Sequence, residues 1–248
     1  MGFKNIKHSR ALGQNFFTNT NLAEKIVKEV LEYNPDTILE IGGGTGIFTE
    51  LFYKKNINPI CIEKDRVLAE NLEKNYPKAK VIQRDILELD IHSLLPKGKK
   101  NISFGSLPYN QAKKIIHTLI QSQEIQHHFY IIQKEVAEKY LGKDKSSKLS
   151  CCTQLYATPK ILFDISPNNF KPKPKVTSSF IHFQRHKKYK HIKNEEDFIK
   201  YLDQAFKQPR RKLKNNLKIK DTKLIPNTRP EELNLEEHLE IWEKLKTK

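Results

Sequence analysis

The chain has 248 residues with 37% hydrophobic and 30% charged side chains, and its 45 Lys and Arg against 29 Asp and Glu leave a formal net charge of +16. That length permits one large domain with a small appendage around a real core, and the absence of any apolar run of about 18 residues excludes a membrane span. Three cysteines, with Cys151 and Cys152 vicinal and no Cys-x-x-Cys, point to neither a disulfide framework nor a zinc site, so a reducing compartment, the cytoplasm, is the expected setting.

In chain order, MGFKNIKHSRALGQNF is basic and free of acids but has no apolar signal-peptide region, and is expected to belong to the mature protein. NLAEKIVKEVLEY (21–33) sets Leu22, Ile26, Val27 and Val30 on one helical face, with Asn19 or Thr20 available as N-cap. Short apolar runs follow at 37–42, 57–63, 80–85, 101–107 and 127–133, separated by helix-patterned segments at 46–55, 66–76 and 111–121. Strands alternating with helices predict an α/β fold of βαβ units with a parallel sheet, whose ligand sites lie beyond the carboxyl ends of the strands. Two further runs, 159–165 and 176–184, are placed to form a hairpin closing the sheet edge. Beyond Phe183 the texture becomes HKKYKHIKNEED and then helical, so a boundary is expected near 185–193, with a domain over 1–185 and a small helical domain over 186–248. Between His186 and Lys220, 10 Lys and 2 Arg meet 4 acids, a net +8 in 35 residues; this is either a phosphate-contacting surface or a solvated face.

EIGGGTG (40–46) stands directly after a predicted strand and opens a helix, where glycines permit positive φ and close backbone approach to a ligand. A nucleotide site and a plain glycine turn look alike at this level. The next strand ends in Glu63, 21 residues beyond Gly42, where a carboxylate can accept both hydroxyls of a ribose. Asp85 ends the third strand and is either an acceptor for an adenine amine or the N-cap of a helix. The turn lacks the Lys-Ser/Thr of a P-loop and the GxGxxG of a dinucleotide site, which favours an adenosine-bearing cofactor without a pyrophosphate. FGSLPYN (104–110) is either an ordinary turn or a device for a base amine, with the Ser106 hydroxyl, the Leu107 carbonyl and Tyr109 as acceptors and stacking face and Pro108 fixing the local φ.

Taken together, LGQNF (12–16), EIGGGTG (40–46), IEKD (62–65), RDIL (84–87), FGSLPYN (104–110) and FKPKPKVTS (170–178) resemble the rRNA adenine N6-dimethyltransferases of the KsgA/Erm type. AFKQPRRKLKNNL (205–217) and RPEELNLEEHLEIWEKL resemble the KsgA small-subunit branch, so the likeness covers nearly the whole chain. The resemblance implies a class I methyltransferase (Rossmann-like) fold, S-adenosyl-L-methionine as cofactor, no metal, and rRNA or the assembling small subunit as partner of a monomer. It further implies that Gln14, Asn15 and Phe17 close over the methionine part of the cofactor, that Gly42, Gly44 and Gly46 line its approach, and that Glu63 holds the ribose and Asp85 the adenine. Ser106, Leu107, Pro108 and Tyr109 correspond to the family's Asn-Leu-Pro-Tyr, with Ser106 also next to the cofactor, and Phe170 would stack on the target adenine from the far side. Ser106 departs from the family's Asn; a hydroxyl is shorter than a carboxamide yet still an acceptor, so an altered or reduced rate is expected, not inactivity. Two other functions share these features: a large-subunit dimethyltransferase of the resistance branch, and an rRNA-binding assembly factor that no longer methylates.

Three remaining groups have structural readings. His127 and His128 lack a partner at metal spacing and are expected at the surface or a rim. Cys151 and Cys152, in the helix-like run KLSCCTQLYA, and Trp242, at helical spacing with Leu235, Leu239 and Leu245, are expected to pack in cores.

Overall fold

A computed structural model describes residues 15–192, 194–219 and 225–246. They divide into two compact units: residues up to 134 together with 160–185, and 135–159 together with 186 onward.

Chain order in the first unit runs β1 (Phe16–Phe17), α1 (Thr20–Leu31), β2 (Thr37–Ile41), α2 (Ile47–Lys54), β3 (Ile60–Glu63), α3 (Arg66–Asn75), β4 (Lys80–Gln83), the one-turn α4 (Ile91–Leu94), β5 (Asn101–Ser106), α5 (Ala112–Ile120) and β6 (Ile125–Gln133). After α6 (Lys134–Leu141) and α7 (Lys148–Gln154) come β7 (Ala157–Ile165), β8 (Phe170–Lys171) and β9 (Ser178–Arg185), and then α8 (Glu195–Ala205), α9 (Leu213–Leu217) and α10 (Leu235–Lys246). Seven strands form one sheet in the order β4-β3-β2-β5-β6-β9-β7. From β4 to β6 the pairing is parallel, and β9 joins antiparallel to β6. The predicted hairpin runs thus become the neighbouring strands β9 and β7 at the sheet edge. A separate two-stranded ribbon pairs β1 with β8, Phe17 opposite Phe170.

Helices cover both faces of the parallel strands, so ICIE is buried throughout and NISFGS is buried up to Gly105, although Asn101 and Ser103 alternate with Ile102 and Phe104 in its sequence. Asn19 caps α1 by accepting the Leu22 amide at 3.1 Å. Ala23, Ile26, Val27 and Val30 of that helix then pack with Phe48 and Phe52 of α2 and with Phe104, Phe129 and Phe180 of the sheet in one core.

His128 departs from expectation: it is fully buried, with its Nδ1 2.8 Å from the Ser103 hydroxyl, which in turn lies 2.6 Å from Tyr130. Strand alternation turns His128 to a face of β6 that packs in the interior, while His127 on the other face keeps a rim position. Burial drives the His128 imidazole down to about 3. His127 takes the opposite face, half-buried, with its Nδ1 3.0 Å from His182 Nε2 and its ring against Tyr33.

The second unit has its own core, in which Phe198, Leu202, Ala205, Leu213 and Trp242 meet Cys151, Cys152 and Leu155. The residues 135–159, read from sequence as part of the larger domain, fall in this unit because the apolar side of α7 packs with α8 and α10. Both cysteines are buried free thiols, and a Ser147–Ser150 capping box starts their helix. Asn216 of α9 pins the loop after α8 by donating to the carbonyls of Ala205 at 2.7 Å and Gln208 at 2.9 Å.

Candidate active site

The carboxyl ends of β2, β3, β4 and β5 open onto one cavity of about 240 Å³ in the first unit. The turn after β2 supplies Gly42, Gly43 and Gly44, and β3 supplies Glu63. Beyond β4 stands Asp85, and beyond β5 the stretch from Ser106 to Gln111; Asn15, Phe17 and Phe170 complete the wall from the β1–β8 ribbon. Adjacent parallel strands deliver their C-terminal loops to the same side, so four motifs spread over 70 residues of sequence meet at one rim.

At the glycine turn, the Gly42 amide extends the β2–β3 pairing by donating to the Ile62 carbonyl at 2.8 Å. Gly44 has φ 55°, and a Cβ there would press on the Phe16 ring at 3.3 Å, so the backbone can lie against the cavity only without a side chain. Its amide donates to Glu63 Oε2 at 2.9 Å, while the Asp65 amide donates to Oε1 at 2.8 Å. Glu63 is thereby aimed by two backbone donors, and lone pairs remain on both oxygens. Burial raises this carboxyl above the usual range, and the Asp65 and Gly44 amides oppose the rise. Beneath the turn, Glu40 is 1% exposed and accepts from the Thr49 hydroxyl at 2.7 Å and the Cys61 thiol at 3.1 Å, tying β2, α2 and β3 together.

Asp85 combines its two sequence readings. One oxygen accepts the Leu87 amide at 3.0 Å and caps the 3₁₀ turn Ile86–Glu88, and the other pairs with Lys64 Nζ at 2.9 Å while the residue lines the cavity. The Leu87 amide holds the carboxyl below its ordinary range, and Lys64 adds to the effect.

In the turn after β5, the Leu107 amide donates to Ile131 at 3.1 Å, and the Pro108 carbonyl accepts from Gln111 at 3.0 Å and Ala112 at 2.9 Å, so proline ends the strand and starts α5. Ser106 is half-buried at the cavity and Leu107 is buried. Tyr109 presents its ring to the same space, and burial raises its phenol above the ordinary value. Phe170 is 5% exposed and meets Phe17 edge-on, with centroids 5.2 Å apart and planes at 84°.

Of the residues expected to bind cofactor, Asn15, Phe17, Gly42, Gly44, Glu63, Asp85 and Ser106 line the cavity, as do the expected catalytic residues Ser106, Leu107, Pro108, Tyr109 and Phe170. Gly46 does not. With φ 83° it starts α2, and a Cβ there would lie 2.9 Å from the Tyr76 ring, so it serves helix packing. Gln14 lies outside the described residues. The sequence reading passed over Phe16, Lys64 and Arg84, which also line the cavity. Phe16 stood inside the quoted LGQNF and Lys64 directly after Glu63, but no local pattern shows which neighbour of a motif residue turns inward. Among the described residues no group of three or more His, Cys, Asp or Glu is placed to hold a metal ion.

Comparison with known proteins agrees with this arrangement. The profile of the ribosomal RNA adenine dimethylase family matches residues 5–241. "Ribosomal RNA small subunit methyltransferase A" of Malacoplasma penetrans is 32% identical over 94% of this chain and 90% of the relative. The protein of that name from Flavobacterium johnsoniae is 33% identical over 97% and 96%. Among solved structures, a dimethyladenosine transferase from Plasmodium falciparum superposes with a TM-score of 0.77 over 94% of this chain and 98% of that one at 19% identity. The 23S rRNA methyltransferase ErmE does so with 0.73 over 94% and 100% at 21% identity, and both show the fold.

Proposed function

Because the chain belongs to the ribosomal RNA adenine dimethylase family, we propose that it is an S-adenosyl-L-methionine-dependent rRNA adenine N6-dimethyltransferase that adds two methyl groups to each of two adjacent adenines near the 3′ end of small-subunit rRNA during ribosome assembly. One observation carries the reading: Gly44, Glu63, Asp85 and Tyr109 stand around a single cavity. The residues fit the cofactor by chemistry. Glu63 keeps acceptor lone pairs for ribose hydroxyls, Asp85 is an ionised acceptor at the rim for an adenine amine, and the bare Gly44 backbone leaves room for close approach.

S-adenosyl-L-methionine, when bound, supplies a methyl group activated on a sulfonium sulfur. The chain's residues must then bring to it an exocyclic amine whose lone pair is delocalised into the base. Acceptors on the amine hydrogens, the Ser106 hydroxyl and the Leu107 carbonyl, draw the nitrogen toward tetrahedral geometry, and the Tyr109 and Phe170 rings hold the unstacked base. Orientation of this kind supplies most of the acceleration. The small-subunit target is supported by the names of the relatives and by PRRKLKNNL. In the second unit, Arg210 and Arg211 are exposed and suited to rRNA phosphates. No helix among the described residues is long and apolar enough to cross a membrane; the proposed setting is the cytoplasm, with one copy of the chain acting on the assembling subunit.

Incubating the protein with unmethylated small and large subunits and labelled cofactor, followed by nucleoside mass spectrometry, tests the reading. N6,N6-dimethyladenosine confined to small-subunit rRNA is expected. Label on large-subunit RNA alone assigns the chain to the resistance branch, and tight subunit binding without label makes it a non-catalytic assembly factor.

A further inference from the structure

FKPKPKVTS contains a residue to which the proposed reaction gives no part. Ser178 opens β9, fully buried, with its Cα opposite Gln133 of β6. The Lys134 amide donates to the Thr177 carbonyl at 3.0 Å just before it, and the Ser179 hydroxyl just after it donates to the Asp164 carboxylate at 2.7 Å, so the residues on both sides of it are held. The Ser178 hydroxyl lies 2.7 Å from the Tyr109 hydroxyl, across 69 residues of sequence. We propose that Ser178 is a positioning residue of the methyl-transfer site: its hydroxyl tethers the Tyr109 phenol and so fixes the ring plane on which the target adenine stacks. This rests on the reading of the cavity given above.

Three considerations converge on the tether. Tyr109 stands in the turn between β5 and α5, where the backbone alone leaves a long aromatic side chain free to turn about two bonds, whereas Ser178 stands in a strand paired within the sheet. A buried hydroxyl needs a partner, and these two satisfy each other. The phenol, turned to Ser178 and kept protonated by burial, is not the base for the adenine amine. Tyr109 is thereby held to act by its face, with Ser106 and Leu107 as the acceptors. Small errors in the plane of a stacked base carry through to the angle at which its amine meets the methyl group, which is why one hydrogen bond away from the reacting atoms affects rate.

The test is a double-mutant cycle on methylation of unmethylated small subunits, with saturating cofactor and single-turnover readout. Ser178→Ala and Tyr109→Phe are each expected to slow transfer about three- to tenfold, and the double variant is expected to be no slower than either, because each removes the same bond. KM for the subunit and calorimetric affinity for cofactor should stay within about twofold of wild type, since neither change touches phosphate contacts or Glu63. Ser178→Thr, which keeps the hydroxyl on a strand-compatible side chain, should restore most of the rate. Multiplicative losses in the double variant, or Ser178→Ala at the wild-type rate with a wild-type melting temperature, overturn the tether alone. A wild-type chain that places no label on small-subunit adenine overturns the reading of the cavity and the tether with it.

Discussion

Ser106 ends β5 opposite Ile131 and faces the cavity where the family carries Asn. On the proposed reading a shorter acceptor at this point would hold the amine less firmly, while the strand end and the Leu107 backbone stay set by strand pairing. Ser106→Asn is expected to raise methyl transfer to unmethylated small subunits, and Ser106→Ala to lower it roughly tenfold; no gain from the first together with no loss from the second contradicts the role. Glu40 supports a pH prediction. Burial pushes its carboxyl from 4.5 up to about 7, so between those values the folded chain keeps a proton that the unfolded chain has released. The stability this group contributes is complete below pH 4.5 and declines as pH rises through 7. Relative to Glu40→Gln, the wild type should lose about 3 kcal/mol of unfolding free energy between about pH 4 and pH 8. Urea unfolding of both proteins across that range checks it, and a difference that stays constant with pH contradicts it. The motif EIGGGTG shows none of this, since there Glu40 is only the residue that opens it, one place ahead of Ile41 and the glycines.

At the scale of the element, legibility followed periodicity. The first helix and three intervening helices follow from 3.6-residue patterns and the five parallel strands from short apolar runs between them, and of the two candidate caps, Asn19 and Thr20, it is Asn19 that accepts the Leu22 amide. The β1–β8 ribbon was not legible. Two-residue strands carry no period, and its ties, such as the Thr18 amide to the Asn169 carbonyl at 2.8 Å, join residues some 150 positions apart. Gly105 is a related case. It stood both in the apolar run 101–107 and in the FGSLPYN stretch, and it lies inside β5, where a Cβ would sit 2.6 Å from the Ile41 carbonyl oxygen and 2.9 Å from Leu107 Cδ2, a crowding that the sequence does not show. Gly105→Ala is therefore expected to destabilise the first unit by about 2–4 kcal/mol, by forcing apart the strands that carry the glycine turn and the Ser106–Tyr109 stretch. Chemical denaturation measures it, and an unchanged midpoint would mean the neighbouring strands shift freely.

For the whole molecule, charge is the controlling quantity. A net +16 with half of it between His186 and Lys220 favours a polyanion and makes affinity depend on salt. If Arg210, Arg211 and Lys212 each neutralise a phosphate, replacing all three by Ala should reduce the slope of log K against log salt by about 2–3 for small-subunit binding, with little effect on cofactor affinity. An unchanged slope assigns the cluster to the solvated face instead. Strand–helix alternation determined the α/β class by itself, the resemblance of its motifs pointed to the family, and the glycine and Ser-Leu-Pro-Tyr motifs marked part of the cavity wall, because these depend on local backbone preference and on strand ends that a parallel sheet gathers on one side. Tertiary structure alone decided that Gly46 serves packing, that His128 is interior, that 135–159 join the second core, and that Ser178 meets Tyr109. Each of these depends on side chains brought together from distant parts of the chain, a distance that no periodicity records.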